Sequence, residues 1–138
     1  MKINTGSRYA VMAMVDLAVW SKGNPIRLVD VAQRQEVSRS YLGGLFVKLR
    51  RSGLVTSVRG RGGGYRLARS AAETRISDII IAVDGPFQTP PDMNDPTHDL
   101  WQGLGNQFFL YLDSISLEDV VEKRVLGSSG HVYLQGLG

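Results

Sequence analysis

The segment from residue 28 to residue 67 constrains the fold more than any other part of the chain. It begins with two short helices, one over about Leu28–Gln35 and one that runs to about Ser52, joined by the tight turn Glu36-Val37-Ser38. Ser38 is suited to cap the second helix and Gly53 to end it. Apolar residues recur in that helix at the spacing of one buried face, namely Leu42, Leu45, Phe46 and Leu49. The pattern predicts a helix-turn-helix.

A hairpin with a basic tip follows the second helix. Leu54–Val58 has strand character, Tyr65-Arg66-Leu67 is a second strand, and the turn Arg59-Gly60-Arg61-Gly62-Gly63-Gly64 joins them. Glycine lets the backbone of such a turn approach a partner closely. A helix-turn-helix followed by this hairpin predicts a winged helix-turn-helix, which is a mainly α fold with a small β-hairpin wing.

The segments on either side of this unit predict further helices. Ser7–Ser21 is apolar almost all round, which is typical of a helix in the middle of a fold or at a subunit interface. Ile76–Val83 predicts a short helix. Ser116-Leu117-Glu118-Asp119 resembles a capping box, which predicts the start of a last short helix.

A long C-terminal helix is predicted after the proline-rich segment Gly85–Pro96, with Asp95 as its N-cap and Pro96 at its first position. Its apolar residues have the a/d spacing of a helix that packs along another helix: Trp101, Leu104, Phe108, Tyr111 and Ile115. We therefore expect a DNA-binding domain over residues 1–84 and a linker over 85–96. A dimerisation helix with a short last helix covers 97–126, and a flexible tail covers 127–138.

Charge is divided unevenly along the chain. Residues 1–75 hold fourteen Lys/Arg and four Asp/Glu, a net charge of +10, whereas residues 76–138 hold two and nine, a net charge of −7. A basic domain favours nucleic acid, because its cations replace the counterions of the phosphates. The charge pattern therefore predicts double-stranded DNA as a partner of the N-terminal half.

The exposed polar residues of the second helix and of the hairpin tip are the candidate DNA contacts. The start of the helix can reach base edges or phosphates in the major groove. Arginine at a narrow hairpin tip suits the minor groove, whose negative potential attracts it. The full set is Ser38, Arg39, Ser40, Tyr41, Lys48, Arg50, Arg51, Arg59, Gly60 and Arg61.

Other function classes are less well supported. The same basic half would also serve an interaction module that binds acidic proteins or an anionic membrane. A nucleotide-binding loop would need a Gly-Lys-Ser/Thr motif between a strand and a helix, and an enzyme would need a catalytic arrangement that the spacing does not suggest. No secretory signal or membrane-spanning run is present, so a cytoplasmic location without a membrane partner is expected.

Several short motifs along the chain match the sequence pattern of one protein family. They include Ser7-Arg8-Tyr9-Ala10-Val11, Ser40-Tyr41-Leu42, Gly53-Leu54-Val55, Ser57-Val58-Arg59-Gly60, Gly62-Gly63-Gly64-Tyr65 and Ala82-Val83-Asp84. Together they resemble the Rrf2 family of bacterial winged helix-turn-helix regulators, over about Met1–Val121. The resemblance implies a homodimer with a winged helix at each end and a long dimerisation helix. It also implies control of promoters, most simply by repression, often at genes for iron–sulfur cluster assembly or stress.

The chain departs from that family in its cluster ligands. The iron–sulfur regulators of the family carry three cysteines and a histidine before the long helix, whereas this chain has no cysteine. His98 matches the histidine position and is the candidate metal ligand, with Asp92, Asp95 and Asp99 nearby. A single histidine with scattered carboxylates lacks a dedicated ligand spacing. No cofactor is therefore predicted, and a metal or cluster held without cysteine stays as the alternative.

A second departure lies in the middle of the recognition helix. Members of the family usually carry Glu-Gln where this chain has Gly43-Gly44, and the resemblance implies that those side chains help to read bases. Two glycines also cost about 1 kcal/mol each in helix stability relative to alanine. We therefore expect an altered or relaxed sequence preference.

Overall fold

The computed structural model describes residues 4–86, 95–125 and 127. Within them the chain is mainly helical with one two-stranded hairpin, as predicted. The elements in order are α1 (Thr5–Trp20), α2 (Leu28–Gln35), α3 (Arg39–Arg51), β1 (Val55–Val58), β2 (Gly64–Leu67), a short 3-10 helix (Ala71–Glu73), α4 (Ile76–Asp84), α5 (His98–Asp113) and α6 (Leu117–Val121). Most of the predicted linker and tail, with Asp92, lies outside the described residues.

The turn between α2 and α3 forms as the sequence predicts. Glu36 ends α2 in the left-handed region, with φ 56° and ψ 42°. The Ser38 hydroxyl then accepts a hydrogen bond of 3.0 Å from the Tyr41 backbone N–H, so Ser38 caps α3. Gly53, with φ 76°, follows the helix, where a side chain would strain the backbone. Glu36 and Ser38 thus set where α2 ends and α3 begins, and Gly53 sets where α3 ends.

The hairpin is held at its base by contacts with the rest of the domain. β1 and β2 are antiparallel, in a register that runs from Val55 opposite Leu67 to Val58 opposite Gly64. Ile26 adds a third backbone partner, because it and Tyr65 exchange two N–H···O bonds of 2.8 Å. The Tyr65 ring also packs on Phe46 of α3, with centroids 4.5 Å apart. The wing is therefore fixed relative to the recognition helix.

The core lies between α1 and the helices around it. α1 buries Ala10, Ala13, Met14 and Leu17 on one side, while Met12, Val19 and Trp20 on the other remain exposed. The predicted stripe of α3 is confirmed, since Leu42, Leu45, Phe46 and Leu49 are all buried. One side of α1 thus forms the centre of the domain, and the other offers apolar surface to solvent.

An ion pair between a buried carboxylate and an exposed guanidinium joins α1 to α2. The Asp16 side chain is only 6% exposed and receives two hydrogen bonds from the Arg34 guanidinium, the shorter of 2.5 Å. These hydrogen bonds raise the pKa of Arg34. The guanidinium also lies 5.3 Å from the centroid of the Trp20 ring. The pairing meets the requirement that a buried carboxylate have a partner.

Hydrogen bonds fasten the end of α5 to α4. The Ser77 hydroxyl donates to the Asp113 carboxylate at 2.7 Å, and the Ile76 N–H donates to the Ile115 carbonyl at 3.0 Å. The prediction that Ile115 continues the exposed seam of α5 is therefore wrong. The helix ends at Asp113, and Ile115, 5% exposed, belongs to the core of its own chain.

None of the helices in the described part of the chain is both long and apolar enough to cross a lipid bilayer.

Candidate nucleic-acid interface

The start of α3 presents a short polar surface. Ser38, Arg39, Ser40 and Tyr41 are all exposed. The Ser38 hydroxyl acts as the helix cap, which leaves its second lone pair and its proton for a ligand. Tyr41 is 41% exposed and also packs edge-on against Tyr9, with ring centroids 5.9 Å apart. That contact orients the phenol, so a phosphate or base would meet a fixed side chain.

The exposed face of α3, opposite its buried apolar residues, has a glycine rather than a side chain at its centre. At 100° per residue, Ser40, Gly44 and Arg51 lie on that face, and all three are exposed. A Cβ built on Gly44 would meet nothing within 4 Å, and one on Gly43 would lie 3.5 Å from Leu28, an ordinary contact. Neither glycine is therefore required by the packing of this chain. Their effect is to remove side chains from the centre of the recognition helix.

The basic residues near the end of α3 differ in what they contact. Arg50 and Arg51 are exposed. Lys48 instead donates a hydrogen bond of 3.3 Å to the Val83 carbonyl at the end of α4. Its ammonium retains donors for a phosphate, but its position is set by α4. The sequence could not indicate this, since the contact joins residues 35 positions apart.

The tip of the wing is exposed and depends on glycine. Arg59, Gly60 and Arg61 all face solvent. Gly60 has φ 92°, a conformation that side chains rarely adopt. A Cβ on Gly63 would lie 2.2 Å from the Val58 carbonyl oxygen. The tight turn that projects the two arginines therefore needs its glycines.

Arg66 was missed by the sequence analysis and belongs to the same basic surface. It lies on β2, and its side chain is exposed while Tyr65 and Leu67 on either side are half-buried. The alternation of burial along a strand could have identified it. It extends the basic surface from the tip of the wing along the hairpin.

The twelve arginines in the described part of the chain differ in whether a carboxylate pairs with them, and Arg8 and Arg75 are exposed without an ion pair outside the two sets that follow. Four form ion pairs with carboxylates: Arg27, Arg34, Arg69 and Arg124. Six exposed arginines on α3 and the hairpin have no carboxylate within ion-pair distance among the described residues: Arg39, Arg50, Arg51, Arg59, Arg61 and Arg66. Six cations left without protein partners on neighbouring elements form a surface suited to a polyanion.

α5 carries a second exposed surface, which is apolar. Trp101, Leu104 and Tyr111 are 41%, 53% and 46% exposed, whereas Phe108 is half-buried against the core. Leu100 and Leu110, absent from the predicted seam, are exposed as well, at 62% and 56%. So many large apolar side chains on one surface helix are typical of an interface between proteins.

Asp95 lies three residues before His98, the first residue of α5, and its carboxylate binds Thr97 at the N-cap position. One oxygen of its carboxylate accepts hydrogen bonds from the Thr97 backbone N–H at 2.7 Å and from the Thr97 hydroxyl at 2.5 Å. Those bonds, the hydroxyl's first, lower the pKa of Asp95. The prediction of Asp95 as N-cap and Pro96 as first helical residue is therefore wrong: α5 begins at His98, Thr97 is its N-cap, and the Asp95 carboxylate binds Thr97 before the helix starts.

The described residues do not form a cluster or metal site. The whole chain has no cysteine, and the described residues contain no group of three or more His, Cys, Asp or Glu side chains placed to hold a metal ion. His98 is half-buried at the start of α5, and Asp99 beside it is exposed. Among the described residues, the candidate ligand His98 is therefore not brought together with a donor set.

Comparisons with known proteins agree on one family. A family model described as "Rrf2: Iron-dependent Transcriptional regulator" matches residues 3–123. The chain is 40% identical, over 133 residues, to the helix-turn-helix-type transcriptional regulator IscR of Photorhabdus laumondii, covering 90% of this chain and 81% of the relative.

Two solved structures superpose closely on the chain. CymR, the global cysteine regulator of B. subtilis, has a TM-score of 0.79 at 33% identity and covers 89% of this chain and 98% of its own. IscR of T. potens has a TM-score of 0.78 at 35% identity and covers 96% of each chain. These relatives are transcriptional regulators rather than enzymes, and their likeness confirms the winged helix fold.

Proposed function

Since the chain belongs to the Rrf2 family of DNA-binding transcriptional regulators, we propose that it acts as a homodimeric repressor on a pseudo-palindromic operator. The proposed DNA-binding unit is residues 1–84, and the proposed dimerisation unit is 97–126. Repression needs only that the bound dimer exclude polymerase from the promoter. The family resemblance suggests genes of cluster assembly or stress as targets.

The observation that carries the proposal is the set of six exposed arginines on α3 and the hairpin without carboxylate partners in the described chain. Arg27, Arg34 and Arg69, elsewhere in the domain, are paired with carboxylates, whereas Arg8 and Arg75 are single exposed cations away from α3 and the hairpin. A basic surface left without internal partners gains free energy from phosphates through the release of counterions. Because this basic surface lies on a helix and a hairpin, it can enter the grooves of duplex DNA.

The proposed docking places the start of α3 in the major groove. Arg39 and Ser40 would meet base edges or phosphates there, because the major groove is wide enough to admit a helix. Arg50 and Arg51 would contact the backbone. The wing would then reach the adjacent minor groove, where Arg59 and Arg61 meet the strongest negative potential.

The proposed dimer interface joins the exposed apolar faces of α5 and α1. On α5 these are Trp101, Leu104 and Tyr111, and on α1 they are Met12 and Trp20. Burying this surface against a second copy would gain about 25 cal/mol per Å². Two-fold symmetry would place the two recognition helices roughly 34–36 Å apart, or a multiple of that distance, along the duplex.

Selection of duplexes from a random pool, followed by footprinting, tests the proposal. We expect recovery of an inverted repeat that binds one dimer, with an affinity that falls steeply as salt is raised. Vesicles of anionic phospholipid serve as the competing polyanion. Equal or tighter binding to the vesicles, or selection of no duplex at low salt, would contradict the proposal and favour the interaction module.

A further inference from the structure

The family resemblance places an iron–sulfur cluster just before α5. In this chain the start of α5 is held by other interactions. The family model that matches the chain is described as iron-dependent. The chain nevertheless lacks the thiolates that bind such clusters. Among the described residues, no three metal-binding side chains come together either. Whatever fixes this junction must therefore come from other residues.

Hydrogen bonds within the chain fix the start of α5. Asp95 accepts from the backbone N–H and from the hydroxyl of Thr97, at 2.7 and 2.5 Å. The same Thr97 oxygen accepts a bond of 2.9 Å from the Trp101 indole N–H, one turn into the helix. One oxygen of the Asp95 carboxylate is thus engaged by Thr97. The start of α5 is therefore held by bonds that need no metal ion.

Hydrogen bonds also fix the end of α4. The Asp84 carboxylate accepts from the Asn4 amide at 2.5 Å and from the buried Ser7 hydroxyl, both near the start of α1. The next carbonyl back, that of Val83, accepts from Lys48 of α3 at 3.3 Å. The last turn of α4 is therefore tied to α1 and to the recognition helix by side chains of the protein.

From this arrangement we infer that operator binding by this chain is independent of iron and of any iron–sulfur cluster. The Asp95–Thr97–Trp101 bonds fix the start of α5, and the bonds at Asp84 and Val83 fix the end of α4 against α1 and α3. Neither set of bonds includes a metal ligand, so we expect no change of metal occupancy to be needed for DNA binding. This inference rests on the proposed function, because it concerns how that function is regulated.

Parallel selections test the inference. One portion of protein is purified without oxygen and treated with ferrous iron and sulfide, and a second is stripped with a chelator. Both are offered the same random duplex pool. We expect the same consensus, dissociation constants within about twofold, and no stoichiometric iron or visible absorption in either portion. A cluster absorption with stoichiometric iron, or a tenfold change in affinity on stripping, would overturn the inference. Failure of both portions to bind any duplex would overturn the proposed function as well.

Two substitutions at Asp95 test whether this residue only accepts hydrogen bonds from Thr97 or also binds a metal ion. Asp95→Asn keeps an oxygen that can accept the Thr97 bonds, whereas Asp95→Ala removes it. We expect Asp95→Asn to bind DNA like the parent chain and Asp95→Ala to lower the midpoint of thermal unfolding by about 3 °C. His98→Ala should leave the ratio of affinities with and without iron near one. An iron response lost in Asp95→Asn or His98→Ala would show that these residues bind metal.

Discussion

At the scale of single residues, the described arginines differ in whether a carboxylate of the chain already neutralises them. Arg124 donates to Glu118 at 2.9 Å and lies near Asp119 at 3.6 Å. Arg59 is equally a surface residue, but it faces solvent at the tip of the wing with no such partner in the described chain. The two residues therefore form a matched pair for testing which cations meet DNA.

Replacing Arg59 with alanine should weaken operator binding by on the order of tenfold and lower the slope of log K against log salt by about 1, because one phosphate contact is lost. Arg124→Ala removes the same charge and should change neither quantity. Titrations at several salt concentrations measure both. An unaltered salt slope in Arg59→Ala would refute the assignment of the wing to the minor groove.

The two glycines of α3 make a second prediction at this scale. The double variant Gly43→Glu, Gly44→Gln restores side chains on the face that should enter the major groove. It should sharpen discrimination between operator variants by about 1–3 kcal/mol per base contacted. The parent chain should discriminate less at the same positions. Binding to a panel of single-base variants measures this.

The matched control is Gly43→Ala, Gly44→Ala, for which the structure has room. It restores helix propensity without adding groups that read bases. It should stabilise the fold by about 1 kcal/mol for each glycine and leave discrimination unchanged. Equal discrimination in the parent, the alanine variant and the Glu-Gln variant would show that this face of α3 does not read sequence.

Residues in the candidate site could be predicted where a local rule applies. The cap at Ser38 and the positive φ at Gly53 follow from short-range chemistry, and both formed. The Lys48 contact to Val83 could not be predicted, because it depends on how α3 packs against α4. The exposure of Arg66 could have been predicted, because side chains alternate along a strand and its two neighbours are half-buried.

At the scale of elements, the capping box of the last helix both satisfies backbone N–H groups and lowers the pKa of a carboxyl group. In α6 the Ser116 hydroxyl accepts from the Asp119 N–H at 3.0 Å, and the Asp119 carboxylate accepts from the Ser116 N–H at 3.0 Å. That backbone hydrogen bond is the main reason that the pKa of Asp119 lies below its usual value. The capping box predicted from the sequence is therefore confirmed.

Ser116→Ala should lower the free energy of unfolding by about 1 kcal/mol, the usual cost of losing an N-cap. Because the folded pKa of Asp119 is lowered, its contribution is present above the unfolded pKa, near 4, and is lost as pH falls through the folded pKa. Asp119→Asn should thus differ from the parent at pH 7 and converge with it in acid. Urea unfolding across this pH range measures both effects. A difference that does not shrink in acid would contradict the assignment.

Helix ends were harder to predict than helices. The a/d spacing of α5 continues in the sequence through Ile115, but the helix stops at Asp113. The Ile115 carbonyl binds the Ile76 N–H instead, and the Ser77 hydroxyl binds Asp113. These contacts bring α5 back to α4. Periodicity alone cannot distinguish an apolar residue that meets a partner chain from one that meets its own core.

At the scale of the whole molecule, charge and apolar surface are separated along the chain. Residues 1–75 carry +10 and residues 76–138 carry −7. The exposed apolar residues lie mainly on α1 and α5, while six of the eight described arginines without carboxylate partners lie on α3 and the hairpin. The fold class and the position of the basic surface could be predicted, because both follow from local patterns. The exposed face of α1 could be placed only by tertiary structure.

The central claim is that two copies, joined through α5, bind one symmetric duplex. Sedimentation of the protein with a selected operator tests it most directly, together with Leu104→Glu and the control Gln102→Glu on the same helix. We predict two chains per duplex for the parent and for Gln102→Glu, and a monomer with operator affinity reduced at least tenfold for Leu104→Glu. A monomeric parent that binds the full operator as one chain per duplex would contradict the account.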